Sequence, residues 1–142
     1  MAKQRTAVLG VGQTKYQSTR GDVSMAGLVR EAAMRALADA GLEWSDIDAV
    51  VIGKAPDFFE GVMMPELYLA DALGCVGKPI LRVHTAGSVG GSTALVATSL
   101  IQGRIHRRVL TLGFEKQSES NATWALSLPQ PFSVSINAGA GG

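Results

Sequence analysis

Residues 88–102 read SVGGSTALVATSLIQ, a helix-length stretch with no charged residue on any face, closed by Gly103. A helix on a protein surface keeps a polar stripe toward water, so a charge-free helix reads as buried on several sides. Its side chains are mostly small, which lets neighbouring layers approach closely. The segment therefore predicts a helix over Ser88–Gln102, sandwiched between two sheets and stopped by Gly103. The remaining residues supply strands for about one sheet, so a second sheet is implied from elsewhere.

Four short apolar runs supply that one sheet. They are Thr6–Gly12 (TAVLGVG), Ala49–Gly53 (AVVIG), Pro79–His84 (PILRVH) and Arg108–Phe114 (RVLTLGF). Runs of this length bounded by glycine or proline read as buried strands. Between the first two, Ser24 is a good N-cap. Met25, Leu28, Val29, Ala32, Ala36 and Leu37 follow on one helical face, with Arg30, Glu31, Arg35 and Asp39 on the other and Gly41 as the stop. A second helix starts at Pro65, runs through Leu67, Leu69, Ala70 and Leu73, and stops at Gly74. The order βαβαβαβ predicts an α/β fold with a mostly parallel sheet, right-handed crossovers and a buried, glycine-rich third helix.

Residues 1–115 form one such unit. Periodicity fails over 116–142, which carries Pro129 and Pro131 and reads as a loop or interface segment. Its Trp124, Leu126, Leu128 and Phe132 are a plausible contact between two copies. The closing run Ala138-Gly139-Ala140-Gly141-Gly142 suggests a chain truncated before a further half.

Composition removes several classes. The chain has 142 residues, 46% of them hydrophobic and only 18% charged. Average soluble chains carry about 25% charged residues, so disorder is excluded. Thirteen Lys+Arg against twelve Asp+Glu give a net charge of +1, which makes no electrostatic case for nucleic acid or an anionic membrane. Cys75 is the single cysteine, which excludes an internal disulfide and a multi-cysteine metal site and suits a reducing cytoplasm. No apolar run approaches the roughly 20 residues of a membrane span, and the first residues are too soon charged for a signal peptide. No metal-ligand spacing is present.

One motif carries chemistry. Ala86-Gly87-Ser88-Val89-Gly90 lies between a predicted strand and the charge-free helix, in the small-x-Ser-x-Gly shape of a nucleophile elbow. A helix start offers free N–H groups to a developing oxyanion. The alternative is that Ser88 is an ordinary N-cap or lines a site. A serine nucleophile needs a base within reach. The two histidines are His84, four residues upstream, and His106, beyond the helix.

Other features have blander readings. Gly10-Val11-Gly12 lacks the third glycine of a dinucleotide fingerprint, since position 15 is Lys15, and reads as a tight turn. Cys75 has no basic neighbour nearer than Lys78 and reads as structural. Asn121-Ala122-Thr123 is a glycosylation sequon by letters only. Met63, Met64, Phe58 and Phe59 form a soft apolar cluster, either core or interface packing or a surface facing a lipid or acyl chain.

The segment Arg82–Ala97 (RVHTAGSVGGSTALVA) resembles the nucleophile region of the thiolase superfamily. Leu112–Ser118 (LGFEKQS) is similar to the strand and loop that follow in sterol-carrier-type thiolases. AVLGVGQTKY and Lys54–Leu67 (KAPDFFEGVMMPEL) resemble the lipid-transfer, or lipid-carrier, proteins of actinobacterial sterol catabolism. The likeness covers nearly the whole chain and only the first of the two similar halves of a thiolase.

The resemblance implies an enzyme acting on acyl-CoA thioesters in sterol or fatty-acid breakdown, as an acyltransferase or a carbon–carbon lyase. Coenzyme A would enter as part of the substrate, with no tightly bound cofactor. Ser88 falls where thiolases carry their nucleophilic cysteine, and Cys75 lies outside the motif. Ser88 is thus the candidate catalytic residue, with His84, Gly87, Val89 and Gly90 as candidate substrate-binding residues. The alternatives are a non-catalytic acyl-CoA or lipid carrier, a partner subunit on the same scaffold, or an inactive fragment. A cytoplasmic homodimer is expected, with room for a small helper subunit.

Overall fold

A computed structural model describes residues 5–54, 61–116 and 118. Helix α1 spans Met25–Ala40, strand β1 Ala49–Gly53, helix α2 Pro65–Leu69, strand β2 Ile80–Val83, helix α3 Val89–Gln102 and strand β3 Val109–Gly113. The three strands form one parallel sheet in the order β2-β1-β3. Val51 sits beside Leu81 on one side and Thr111 on the other. The central strand β1 is buried at all five positions, which its AVVIG composition requires.

Helix α1 begins and ends for the reasons the sequence suggests, whereas α2, expected to run through Leu73, ends at Leu69 and the chain continues in turns to Gly74. Ser24 Oγ accepts the Gly27 N–H at 3.1 Å and caps α1. Gly41 closes α1 in the left-handed region at φ 64, where a side chain would be strained. Met25, Val29, Ala33 and Leu37 form the buried stripe. They pack with Val50 and Ile52 of β1, Leu110 and Leu112 of β3, and Leu69, Leu73 and Cys75.

The other face of the sheet belongs to α3. Successive strand residues alternate between faces, so Gly53 points away from the α1 core. A Cβ on Gly53 would lie 2.2 Å from Thr93 Oγ1 and 3.1 Å from Val89 Cγ2. That missing side chain is what lets the start of α3 rest on the end of β1. The result is three layers: α1 with the α2 region, the sheet, and α3.

Two further expectations change. The predicted burial of the third helix on several sides holds along one row only. Thr93 and Ala97 are buried, whereas Gly91, Ala94, Leu95 and Ser99 are exposed, Leu95 at 69%. Among the described residues nothing covers the outer face, as expected of a helix that lacks its second sheet. The predicted first strand, Thr6–Gly12, joins no ladder of the sheet. It runs along α1 instead. A Cβ at Gly10 would stand 2.6 Å from Ala36 O, and one at Gly12 would stand 2.3 Å from Ala32 O. The two glycines that end the apolar run are the points of helix contact. Val11 N–H donates to Asp39 Oδ2 at 2.9 Å and holds the segment there. Of the 116–142 segment only 116 and 118 are described, so its reading as an interface, the sequon at Asn121, and Phe58 and Phe59 lie outside the described residues.

Asp48, just before β1, ties in the chain that leaves α3. Its Oδ2 accepts the N–H groups of Arg107 and Arg108, both at 2.9 Å. The Arg108 N–H is the largest influence holding this carboxyl below the ordinary carboxylate range, and the Arg107 N–H adds to it.

Two predictions follow from this packing. Gly53→Ala lowers stability by about 1–3 kcal/mol through overpacking, and adding Thr93→Ala recovers most of that loss. Denaturant midpoints at unchanged slope measure both. The lowered Asp48 pKa contributes stability that is full above the unfolded value of about 3.9 and is lost as pH falls through the lower folded value. Asp48→Asn therefore weakens the fold at neutral pH and flattens the acid limb of a stability-against-pH curve.

Candidate functional site

The candidate residues gather at the carboxyl end of β2, where the chain turns into α3. His84 and Thr85 leave the strand, Ala86–Ser88 make one 3-10 turn, and Val89 starts the helix. His84, Gly87, Ser88 and Gly90 are exposed, and Val89 is half-buried against Gly53. Open space surrounds the Cβ positions of Gly87, Gly90 and Gly91. No described atom crowds the start of α3 at these three positions. The carboxyl ends of strands in an open α/β sheet are where such folds place ligands.

Ser88 occupies the N-cap position at φ −95 and ψ 7, but its side chain caps nothing. Its Oγ donates to Thr85 O at 2.8 Å, and its N–H donates to the same carbonyl at 3.2 Å. Thr85 Oγ1 in turn donates to Ser92 Oγ at 2.8 Å, one turn into α3. The ordinary N-cap reading of Ser88 is thereby corrected: the hydroxyl faces back into the turn.

This geometry bears on nucleophilicity. The Ser88 proton is directed at a backbone carbonyl, which cannot remove it. His106 lies past the far end of α3, and fourteen helical residues span about 21 Å, so it cannot serve as the base. His84 precedes the turn, and it is not the partner of Ser88 Oγ. Cys75 cannot replace the serine. It is buried in the α1 core, with Sγ 3.5 Å from Leu73 O, and burial pushes its thiol pKa up, away from thiolate.

Two charged residues at the same edge escaped the sequence reading. Lys54, the residue after β1, is fully buried, and its Nζ stands 3.6 Å from Glu115 Oε2, just beyond β3. Only strand register brings them together, because Gly53 pairs with Gly113. A lysine following an apolar strand was the one available signal. Glu115 also lines a cleft of about 380 Å³ with residues 14–18 and Arg20. The Arg20 guanidinium in that cleft binds Asp22 at 2.9 Å and Glu31 at 3.1 Å. It holds the Asp22 carboxyl below its ordinary range. Among the described residues no group of three or more His, Cys, Asp or Glu could hold a metal ion. None of their helices is long and apolar enough to cross a membrane.

The chain is similar to known proteins in sequence and in fold. Over 120 residues the chain is 33% identical to sterol carrier protein 2 of Homo sapiens, a match covering 83% of this chain and 21% of that protein. It is 33% identical over 115 residues to an acetyl-CoA acetyltransferase of Methanothermobacter thermautotrophicus, covering 80% of this chain and 30% of the other. A solved structure described as an Ltp2-ChsH2(DUF35) aldolase superposes with a TM-score of 0.63 at 29% identity, over 87% of this chain and 32% of that one. No protein-family profile matches. The fold and the turn before α3 thus define a thiolase-like α/β protein. Its homologues are sterol carrier protein 2 and thiolase-like proteins, of whose length the chain spans about a fifth to a third.

The Lys54–Glu115 pair makes a direct prediction. Glu115→Ala strips a buried ammonium of a carboxylate and destabilises the fold by about 3 kcal/mol, whereas Lys54→Met with Glu115→Leu restores much of that loss. Thermal and urea unfolding of the three proteins provide the measurement.

Proposed function

We propose that the protein carrying this unit is a thiolase-like enzyme acting on acyl-CoA thioesters of sterol or fatty-acid origin. The reaction that suits the site best is cleavage of a carbon–carbon bond without a covalent acyl-enzyme. The observation that carries this reading is the Ser88 hydroxyl bond to Thr85 O beside an open helix start. Among the described residues a serine held this way meets no activating base, and its hydroxyl is far less acidic than a cysteine thiol. The free N–H groups of the first turn of α3 are suited to polarising a thioester carbonyl. Ser88 orients that turn, Gly87 and Gly90 keep it open, and His84 and Val89 flank the approach.

In a retro-aldol step on a β-hydroxyacyl thioester, a base takes the hydroxyl proton. The Cα–Cβ bond breaks, its electron pair becomes the thioester enolate, and protonation at Cα releases a shorter acyl thioester and a carbonyl compound. The oxyanion formed is the charge that the α3 N–H groups would meet. The base lies outside the described residues in this proposal. The aldolase description of one structural relative supports this route, and the acetyltransferase name of another supports acyl transfer.

A non-catalytic carrier of acyl-CoA or lipid is the second reading, favoured by the sterol carrier name of the curated relatives and by the uncovered apolar face of α3. Cytoplasmic location, homodimerisation and a helper subunit belong to the same proposal, the last supported by the paired name of the Ltp2-ChsH2(DUF35) aldolase.

The test uses the complete gene product with β-hydroxyacyl-CoA and β-ketoacyl-CoA substrates. Ser88→Ala is expected to lower kcat about 10- to 100-fold, a modest loss compared with removal of a nucleophile. Ser88→Cys should leave carbon–carbon cleavage near the Ser88→Ala level. Saturable acyl-CoA binding with no product from the unaltered protein over long incubation supports the carrier and removes the enzyme. Unchanged turnover in both variants removes Ser88 from the mechanism.

A further inference from the structure

The hydroxyls of Thr85, Ser88 and Ser92 meet at the turn before α3, and their bonding differs from that of the helix beyond. Thr93 Oγ1 donates to Val89 O at 2.7 Å, and Ser99 Oγ donates to Leu95 O at 2.9 Å. A bond to the carbonyl four residues back is the usual one for a hydroxyl inside a helix. Ser92, one residue before Thr93, is bonded outside the helix instead: it accepts Thr85 Oγ1 at 2.8 Å. Thr85 also presents its carbonyl to Ser88, whose hydroxyl donates to it at 2.8 Å and whose N–H donates to it at 3.2 Å. Thr85 is thus held at its side chain by Ser92 and at its carbonyl by Ser88.

The two N-cap serines of the longer helices show what this changes. Ser24 has the extended backbone of an ordinary cap, φ −67 and ψ 164, and its Oγ accepts the Gly27 N–H. Ser88 has φ −95 and ψ 7, and its side chain caps nothing. The bond from Ser88 N–H to Thr85 O closes the 3-10 turn Ala86–Ser88 and keeps Ser88 out of the extended conformation that capping uses. For Ser88 the ordinary capping partner is the N–H of Gly91, the third residue of α3. A capping bond and a hydroxyl–carbonyl bond are of similar strength, so a single further bond decides between them.

We propose that Thr85 and Ser92 are positioning residues for Ser88. The bond between their hydroxyls holds the Thr85 carbonyl against Ser88, keeps the 3-10 turn closed and keeps Ser88 Oγ from capping α3. Without that bond Ser88 relaxes toward the extended backbone seen at Ser24, and its oxygen takes the Gly91 N–H. The inference rests on the proposed use of this turn in polarising a carbonyl, yet the direction of the Ser88 hydroxyl is measured without turnover.

Amide hydrogen exchange resolved by residue, on the complete gene product, tests this. In Ser92→Ala and in Thr85→Val the Gly91 N–H is expected to exchange about fivefold more slowly, as a newly capped amide does, with the Thr93 and Ala97 amides unchanged. Thr85→Ser keeps the hydroxyl and should exchange like the unaltered protein. Adding Ser88→Ala to Ser92→Ala should abolish the slowing. With a β-hydroxyacyl-CoA, kcat should fall about tenfold in Ser92→Ala and Thr85→Val at unchanged KM, and Thr85→Ser should retain it. Slowed Gly91 exchange with unchanged kcat upholds the positioning and removes the turn from the proposed reaction. Unchanged Gly91 exchange overturns the positioning. So does faster exchange along the whole of α3, which marks a loosened helix, and so does slowing that survives loss of the Ser88 hydroxyl. Either variant decides alone if the other fails to fold.

Discussion

The contact between Gly53 and Thr93 is the constraint on which the rest of the molecule turns. Helix α3 can rest on the end of β1 only because position 53 carries no side chain. That contact fixes the height of the helix start above the sheet, and with it the turn that holds Ser88. Every feature of the candidate site inherits its place from this approach of helix to strand. A larger residue at 53 would lift the opening of α3 away from the carboxyl edge without altering any residue of the turn itself.

Charge is handled at the same edge in an unusual way. A lysine buried to the last atom follows β1, and a carboxylate following β3 lies within ion-pair distance. Buried pairs of this kind contribute little net stability, since desolvation offsets their attraction. They do penalise any other arrangement of the two strand ends. The pair therefore acts on strand register more than on the depth of the energy well. The core on the opposite face, from Met25 and Val29 to Leu110 and Leu112, supplies the apolar burial that stabilises the unit.

The functional reading rests on a contrast between two hydroxyl geometries. A serine that caps a helix lends its oxygen to the helix N–H groups, and a serine nucleophile gives its proton to a base. Ser88 does neither, because its hydroxyl donates back to Thr85 O and its side chain caps no N–H of α3. A helix start that its serine does not cap suits a polarised carbonyl, and that is the role the proposed chemistry gives it.

Much of the local structure was legible in the residues themselves. Ser24 and Gly41 mark the ends of α1 because capping and a left-handed closure are properties of single residues. The AVVIG run reads as a central strand because only a strand covered on both faces tolerates five apolar residues in succession. The charge-free α3 signalled burial on several sides, whereas among the described residues its outer face is exposed. The position of Ser88 at a strand-to-helix turn was equally clear. What tertiary structure alone decided depends on residues far apart in the chain. Lys54 meets Glu115 only through strand register, and Gly10 and Gly12 find α1 rather than a neighbouring strand because a glycine's missing side chain fits either partner. The direction of the Ser88 hydroxyl belongs to the same class. A sequence names the donor, but only the three-dimensional turn selects which acceptor lies within reach.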